Sequence, residues 1–576
     1  MKKFVSFLLS SLCMGIVGAQ NVITHAYTDT NQPRGDSISL YDFREAYIDV
    51  ILADRAEVQQ LANHFSIDKV ELQNGQYKVR LWLGNRDYAA FINLGIPYQL
   101  SAPDQRAGEL TMATTLAQMD FWNRYPTYSV YCEMMERFQT QYPGLCRIDT
   151  ILAQTPHNHA ILACYIGTNM DGSQPRPQFW YSSSIHGDEQ CGFVMMLRLI
   201  DYLLSNYSTD SQVQNILNHI DVWISPVENP DGMYALSDNS MGGWSHSGEG
   251  STRGNANDVD LNRSYPSVLN PAKVYEPEIQ AMMDFASQHR FVMSANLHGG
   301  SELMNFPWDS WTTSINPHAD IQWWNYVCGN FANTCHQYGE HGYFTEEQNG
   351  VTPGGDWYVI TGSRQDYMTY YQSIREVTIE ISNSKSPSGN SLPQYWASLH
   401  HSLLDYIEEC LYGFSGTVTD SLTGEPLEAR IYIENHDVCN SEVYSDMSFG
   451  QYYRPVRQGT YVVKFSADGY TPKTLTLSTT DGQILTTDVQ LAREAVGVKN
   501  AEQESVRLYP NPASSHINID LNEGKRILEG VIYNAAGQCM KRFEPEGKTR
   551  VDVSSLPAGS YVVRVGETSI NLLIRR

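Results

Sequence analysis

Beyond its first residues, this 576-residue sequence has no apolar run of membrane-spanning length. Lys2 and Lys3 precede a short apolar stretch, Phe4 to Val17, and Val17-Gly18-Ala19 supplies small residues before Gln20. The stretch is too short for a comfortable span and reads as a signal peptide over 1–19. An exported mature chain with no transmembrane segment is expected. Basic residues are also scarce: 39 Lys and Arg stand against 64 Asp and Glu, a formal net charge of -25. Such a chain is a poor generic binder of nucleic acid or anionic membrane, and it attracts cationic peptides. Cysteine is sparse as well. The ten cysteines include Cys13 in the signal, and no pair is spaced CxxC, which excludes a zinc-finger pattern. The odd number left after the signal implies at least one thiol that is free or paired between chains. Cys328 and Cys335 are close enough in sequence for a bridge. With 41% hydrophobic and 18% charged residues, general disorder is excluded.

The length predicts three or four domains. Within 20–110, strand-like Ile48–Leu52, helix-like Arg55–Phe65, strand-like Tyr77–Trp82, helix-like Asn85–Leu94 and strand-like Pro97–Leu100 predict a small α+β domain, helices on an antiparallel sheet. The polar segment Ser101–Glu109 reads as a linker. A large domain at 115–412 mixes amphipathic helices with buried strands at Phe179–Ser183, Asp221–Ser225, Phe291–Ala295 and Val377–Ile381. That pattern predicts an α/β sheet covered on both faces, with its chemistry at strand ends. Recurrent turn signals at 413–492 predict an all-β sandwich, 493–505 a linker, and 506–576 a second β-rich block.

His186-Gly187-Asp188-Glu189 follows a predicted strand, so both His186 and Glu189 can face one metal. Alone, this is as readily a surface turn. His298 ends another strand in Asn296-Leu297-His298-Gly299-Gly300. Two imidazoles and one carboxylate are the ligand set of a catalytic zinc with an open position. Glu380 ends the apolar run Val377-Thr378-Ile379, where a carboxylate needs a partner or a task. It reads as a general base, or as an edge glutamate facing solvent. Arg253 and the run Asp260-Leu261-Asn262-Arg263 offer two-pronged carboxylate recognition, against a bland reading as surface ion pairs.

Taken together, HGDE, NPDG (Asn229–Gly232), DLNR, NLHGG, DWY (Asp356–Tyr358) and TIE resemble the motifs of M14-type zinc carboxypeptidases, in that family's order. They are most similar to the regulatory branch, carboxypeptidases D, E and N, in which a transthyretin-like sandwich follows the catalytic domain. The resemblance implies one Zn2+ per catalytic domain held by His186, Glu189 and His298, with Asp260 orienting His186. It implies water attack with Glu380 as general base and Arg253 on the oxyanion. Asn262, Arg263 and Tyr358 would grip the substrate's free C-terminal carboxylate. Asp309 and Gln365 would line a pocket for terminal Lys or Arg. Three departures stand out: Asp188 where the branch has Asn, Ser264-Tyr265 after Arg263, and Ser363-Arg364 before Gln365. Arg364 is expected to weaken a cation pocket.

The segment Tyr47–Leu100 resembles the activation domains that block some carboxypeptidases, although the regulatory branch lacks one. The block from Val506, with Tyr509-Pro510-Asn511-Pro512-Ala513 and Leu556-Pro557-Ala558-Gly559-Ser560-Tyr561, resembles type 9 secretion sorting domains. That implies export through the periplasm of a Gram-negative, Bacteroidota-type bacterium to the surface or medium. Two other readings stay open: a zinc amidase, deacylase or cell-wall peptide hydrolase of the same fold, and a non-catalytic surface binding protein.

Overall fold

The computed structural model describes residues 45–101, 110–242, 250–269, 274–494, 506–521, 529–534, 537–566 and 568–576. The expected signal peptide and most of both linkers lie outside the described residues. Among the described residues, no helix is long and apolar enough to cross a membrane. The chain divides into two compact units, 1–493 and 494–576.

The first unit opens with β1 (Glu45–Leu52), α1 (Arg55–Ala62), β2 (Ser66–Gln73), β3 (Gln76–Gly84), α2 (Asn85–Asn93) and β4 (Gln99–Leu100), with antiparallel strand order β2-β3-β1-β4. Asp54 starts α1 by accepting the Glu57 N–H at 3.0 Å. Strand alternation divides the sheet's two faces. Ile48, Val50, Leu52, Ile67, Val79, Leu81 and Leu83 pack beneath the helices in one core. Glu45, Tyr47, Ser66, Asp68 and Trp82 fall on the opposite face. The strand β2 is not apparent from sequence, because Ser66–Gln73 is polar and its alternation is broken. Register shifts between Ile67 and Lys69, so Asp68 occupies a bulge. A bulge re-aims a side chain, and this one aims Asp68 at the neighbouring domain.

The central domain carries an eight-stranded mixed sheet. Its strands are β5 (Cys146–Leu152), β6 (Ile161–Ile166), β7 (Gln178–Ser183), β8 (Asp221–Ser225), β9 (Phe291–His298), β10 (Glu302–Phe306), β11 (Val351–Pro353) and β12 (Arg375–Ile381). They lie in the order β11-β10-β12-β9-β7-β8-β6-β5, and the run β12-β9-β7-β8 is parallel. Phe179 and Tyr181 join one apolar core and Trp180 the other, so the sheet is covered on both faces. The helix Cys191–Asn206 is apolar almost all round and is buried accordingly. Because β12 lies between β9 and β10, Glu380 is not on a sheet edge.

Cys328 and Cys335 both lie within the helix Ile321–Tyr338 and are free thiols. Their seven-residue spacing in one helix puts them about 10 Å apart along the axis, too far for a disulfide, so the bridge that sequence proximity left open does not form.

Residues 413–491 form two small sheets around one apolar core, as a sandwich requires. A buried charge cluster ties this sandwich to the central domain. Asp320 accepts both Nη atoms of Arg454 at 2.9 Å, Arg375 Nη2 at 2.8 Å and His436 Nε2 at 2.8 Å. Arg454 also pairs with Asp437. Although Asp320, His436 and Asp437 cluster as metal ligands do, two guanidinium groups already meet their charge. The second unit has strand orders Val506–Tyr509, His516–Leu521, Lys548–Asp552 and, in its other sheet, Cys539–Phe543, Gly530–Asn534, Gly559–Val565, Thr568–Ile574, around its own core.

Removing one partner from a buried ion cluster leaves an uncompensated charge. Arg454→Ala is expected to lower stability by about 3–5 kcal/mol in chemical denaturation. A loss below about 1 kcal/mol would show that the cluster does not hold the sandwich to the central domain.

Candidate active site

The parallel strands deliver their chemistry to one end of the sheet. After β7 the chain turns through Ser184, whose φ of 56° is left-handed, and His186 and Glu189 come next. The Ser184 hydroxyl donates to the Glu189 carbonyl at 2.9 Å and fixes this turn. Gly187 is required by close approach: a Cβ there would lie 2.2 Å from the Gly232 carbonyl carbon. HGDE is thus seated directly on the NPDG turn. His298 is the last residue of β9, and Glu380 is its register neighbour on β12.

His186 Nδ1 lies 2.9 Å from Glu189 Oε1, and His298 Nδ1 lies 2.9 Å from Glu189 Oε2. The three side chains are buried and form a candidate metal group. Their donor atoms are those a divalent zinc takes, and both imidazoles present the same ring nitrogen to the shared carboxylate, so the residues fit a zinc ion. Burial pushes His298 down to about 4, which keeps its imidazole neutral near pH 7 and able to act as a ligand. On its far side, His186 Nε2 faces Asp260 Oδ1 at 3.2 Å. Asp260 also accepts from Arg253 Nε at 3.0 Å and from the Asn262 N–H at 2.9 Å. Despite burial, His186, Lys385 and His298 hold the Glu189 carboxyl well below the usual range.

Arg253, Asn262, Arg263, Tyr358, Asp309 and Glu380 line the same cleft as these three residues. Burial, then the charge of Glu189, raises the Glu380 carboxyl well above the ordinary range. Gln365 donates to Asp309 Oδ1 at 3.0 Å and to Asn305 at 3.1 Å. Burial, and then Asp366, pushes Asp309 up to about 8. Gly354 makes room for this carboxylate, since a Cβ would meet Asp309 Oδ1 at 1.9 Å. Arg364 does not enter the pocket. Its Nη1 binds Glu376 at 2.8 Å, its Nε lies 3.5 Å from Glu228, and its guanidinium stacks over Trp180. The expectation that Arg364 weakens a cation pocket is therefore corrected: two buried acids claim it.

Four participants escaped the sequence reading: Asp68, Tyr47, Glu45 and Lys385. Asp68 Oδ1 lies 2.7 Å from Lys385 Nζ and 3.4 Å from Arg253 Nη1. The Tyr47 hydroxyl donates to Asp188 Oδ2 at 2.5 Å. Glu45 accepts the Arg253 N–H at 3.1 Å, and Arg263 Nη2 donates to the Ile67 carbonyl at 3.2 Å. The polar face of the small N-terminal sheet thus lies over the cleft. The free space left in the cleft is about 40 Å³, against roughly 300–1,000 Å³ for a pocket that holds a ligand.

Residues 131–401 match the family model described as zinc carboxypeptidase. By this match the chain carries a zinc carboxypeptidase domain over those residues. Residues 413–492 match a carboxypeptidase regulatory-like domain, and 507–574 match a secretion system C-terminal sorting domain. Carboxypeptidase D of Mus musculus is 28% identical over 426 residues, covering 71% of this chain and 30% of that protein. The carboxypeptidase N catalytic chain of Mus musculus is 29% identical over 359 residues, covering 55% of this chain and 75% of the relative. The chain spans less than a third of the length of carboxypeptidase D. Among solved structures, carboxypeptidase A from Helicoverpa armigera aligns with TM-score 0.49 and 15% identity, over 63% of this chain and 97% of that one.

A ligating imidazole depends on the group that holds its other nitrogen. Replacing Asp260 by Asn should weaken zinc affinity of the carboxypeptidase domain by about 10–100-fold in a chelator competition. An unchanged affinity would remove Asp260 from the metal's support.

Proposed function

We propose that this chain is an exported zinc carboxypeptidase that removes C-terminal Lys or Arg from peptides and proteins and is kept latent by its N-terminal domain. The observation that carries the reading is the convergence of His186 Nδ1 and His298 Nδ1 on Glu189, each at 2.9 Å, in one cleft with Glu380, Arg253 and Arg263. A zinc ion at this site supplies a Lewis acid that activates water and polarises the scissile carbonyl.

The chain's own residues account for the rest of the chemistry. Glu380, with its affinity for protons raised, takes a proton from the attacking water and returns it to the leaving amine. Arg253 donates to the oxygen on which negative charge develops, an interaction worth about 3–4 kcal/mol per donor in comparable sites. The Arg364 N–H occupies Asn262 Oδ1 at 2.9 Å, which leaves the Asn262 amide nitrogen as a donor. That donor and Arg263 suit a terminal carboxylate, and Tyr358 covers it. Arg263 Nε is buried with no partner among the described residues, as suits a group that awaits an anion. An internal peptide bond offers no such anion, and this favours an exopeptidase over an amidase or deacylase.

Asp309 favours a cationic side chain in the adjoining pocket. With its carboxyl near 8, it is mostly protonated in the empty pocket at neutral pH, and deprotonation as pH rises improves its grip on Lys or Arg. The sorting domain fits delivery by a type 9 secretion system to the cell surface or the medium.

A panel of peptides tests the activity. Ends in Lys or Arg should be cleaved, amidated ends resisted, and a chelator should abolish turnover. The advantage of basic over aliphatic ends should grow as pH rises through about 8 and fall about tenfold or more in Asp309→Ala. Equal cleavage of free and amidated ends would exclude the carboxypeptidase reading.

Latency is tested separately. Limited proteolysis within 102–109 should raise activity severalfold, since the N-terminal domain covers Arg253 and Arg263. Activity unchanged by this cut, with release of the N-terminal domain verified by size, would make that domain an accessory.

A further inference from the structure

Lys385 lies just beyond β12. Its ammonium group sits 2.7 Å from Asp68 Oδ1, 3.0 Å from Glu189 Oε1 and 3.2 Å from Asp188 Oδ2. Arg253 Nη1 reaches the same Asp68 oxygen at 3.4 Å. A carboxylate brought by another domain is therefore shared by two cations at the rim of the cleft. Asp68 and Tyr47 belong to the N-terminal domain and leave with it. Lys385, Arg253, Asp188, Glu189 and Glu380 remain.

The acids that remain do not cancel the slot's preference for an anion. They surround Asp68 already, and even against the effect of burial, Lys385 and Arg253 keep its carboxyl below the ordinary range. The covering strand also gives the slot an address. Ile67 offers its carbonyl to Arg263, and the next residue along β2 offers its carboxylate to Arg253 and Lys385. The two groups come from consecutive residues, so the grip on an acidic side chain lies one residue's length from the grip on a chain terminus, and the only neighbour a terminal residue has is the penultimate one.

We propose that Lys385 and Arg253 form an acid-recognising subsite that selects peptides carrying Asp or Glu immediately before the C-terminal residue. This inference rests on the carboxypeptidase reading above. In the latent chain Asp68 fills the subsite. After removal of the N-terminal domain, a penultimate acid of the substrate takes its place. Lys385 is then a specificity residue that touches substrate, and Asp188 and Glu189 hold its ammonium in position.

The test uses the full chain cleaved within 102–109 and two peptides identical except for their ends, Glu-Arg and Gln-Arg. The Glu-Arg peptide should show kcat/KM about tenfold higher, by the strength of a charge-assisted contact. The ratio should shrink with added salt, approach one in Lys385→Gln and persist in Lys385→Arg. Should the glutamine variant fail to fold, the ratio in the unmodified protein and its salt dependence still decide. Equal rates on both peptides would overturn this inference and leave the proposed function standing. Cleavage of neither peptide would overturn both.

Discussion

One carboxylate organises this molecule. Glu189 is approached by two imidazoles, one from the turn after β7 and one from the end of β9, and by Lys385, all within 3.0 Å. A buried carboxylate cannot stand alone in a protein interior, and its partners come from three separate segments of the chain, the HGDE turn, the end of β9 and the stretch beyond β12. The parallel run of the sheet makes this possible. β7, β9 and β12 end together, so the turn after β7, the last residue of β9 and its register partner on β12 are neighbours. Gly187 against Gly232 and the left-handed turn at Ser184 then fix the last few ångströms.

Much of this was legible in the residues. The apolar runs at Phe179–Ser183 and Val377–Ile381 are strands because a parallel sheet covered on both faces needs continuous hydrophobicity. The six motifs were readable because each joins a polar side chain to a strand end or a turn. Other parts were not legible, for physical reasons. Asp68 lies in a bulge, and a bulge breaks the alternation that would announce a strand. Arg364 beside Gln365 resembles a pocket cation in one dimension. Only three dimensions reveal Glu228 and Glu376 waiting for it behind Trp180. Cys328 and Cys335 are close in sequence and are held apart because one helix carries both.

The charge balance reads differently in three dimensions as well. The excess of acids is a property of the whole sequence, and the cleft shares it, with the cations Arg253, Arg263 and Lys385 each set among acids such as Asp68, Asp188, Glu189 and Glu380. The same economy appears at the sandwich, where Asp320 and Asp437 meet Arg375 and Arg454. In both places acids and bases are buried as complete sets, which is the condition under which buried charge is tolerable.

The two clusters differ in their response to a departing domain, and that difference bears on function. Asp320 and Arg454 sit on opposite sides of the contact between domain and sandwich, and both are fully buried. Parting them in place would leave a bare charge in each half. At the cleft, the departing groups are two carboxylates (Asp68 and Glu45), one phenol and a few hydrogen-bonding atoms, and the surface left behind is a cleft open to water. Lys385 keeps Asp188 and Glu189, and Arg253 keeps Asp260. Water or a substrate anion can replace Asp68, so the N-terminal domain can leave without stranding a buried charge. A polar contact of this kind suits a cover that must eventually come off, and an apolar one would have resisted removal in proportion to its buried area. On the proposed latency, the β-bulge that puts Asp68 among these cations would serve release as much as closure.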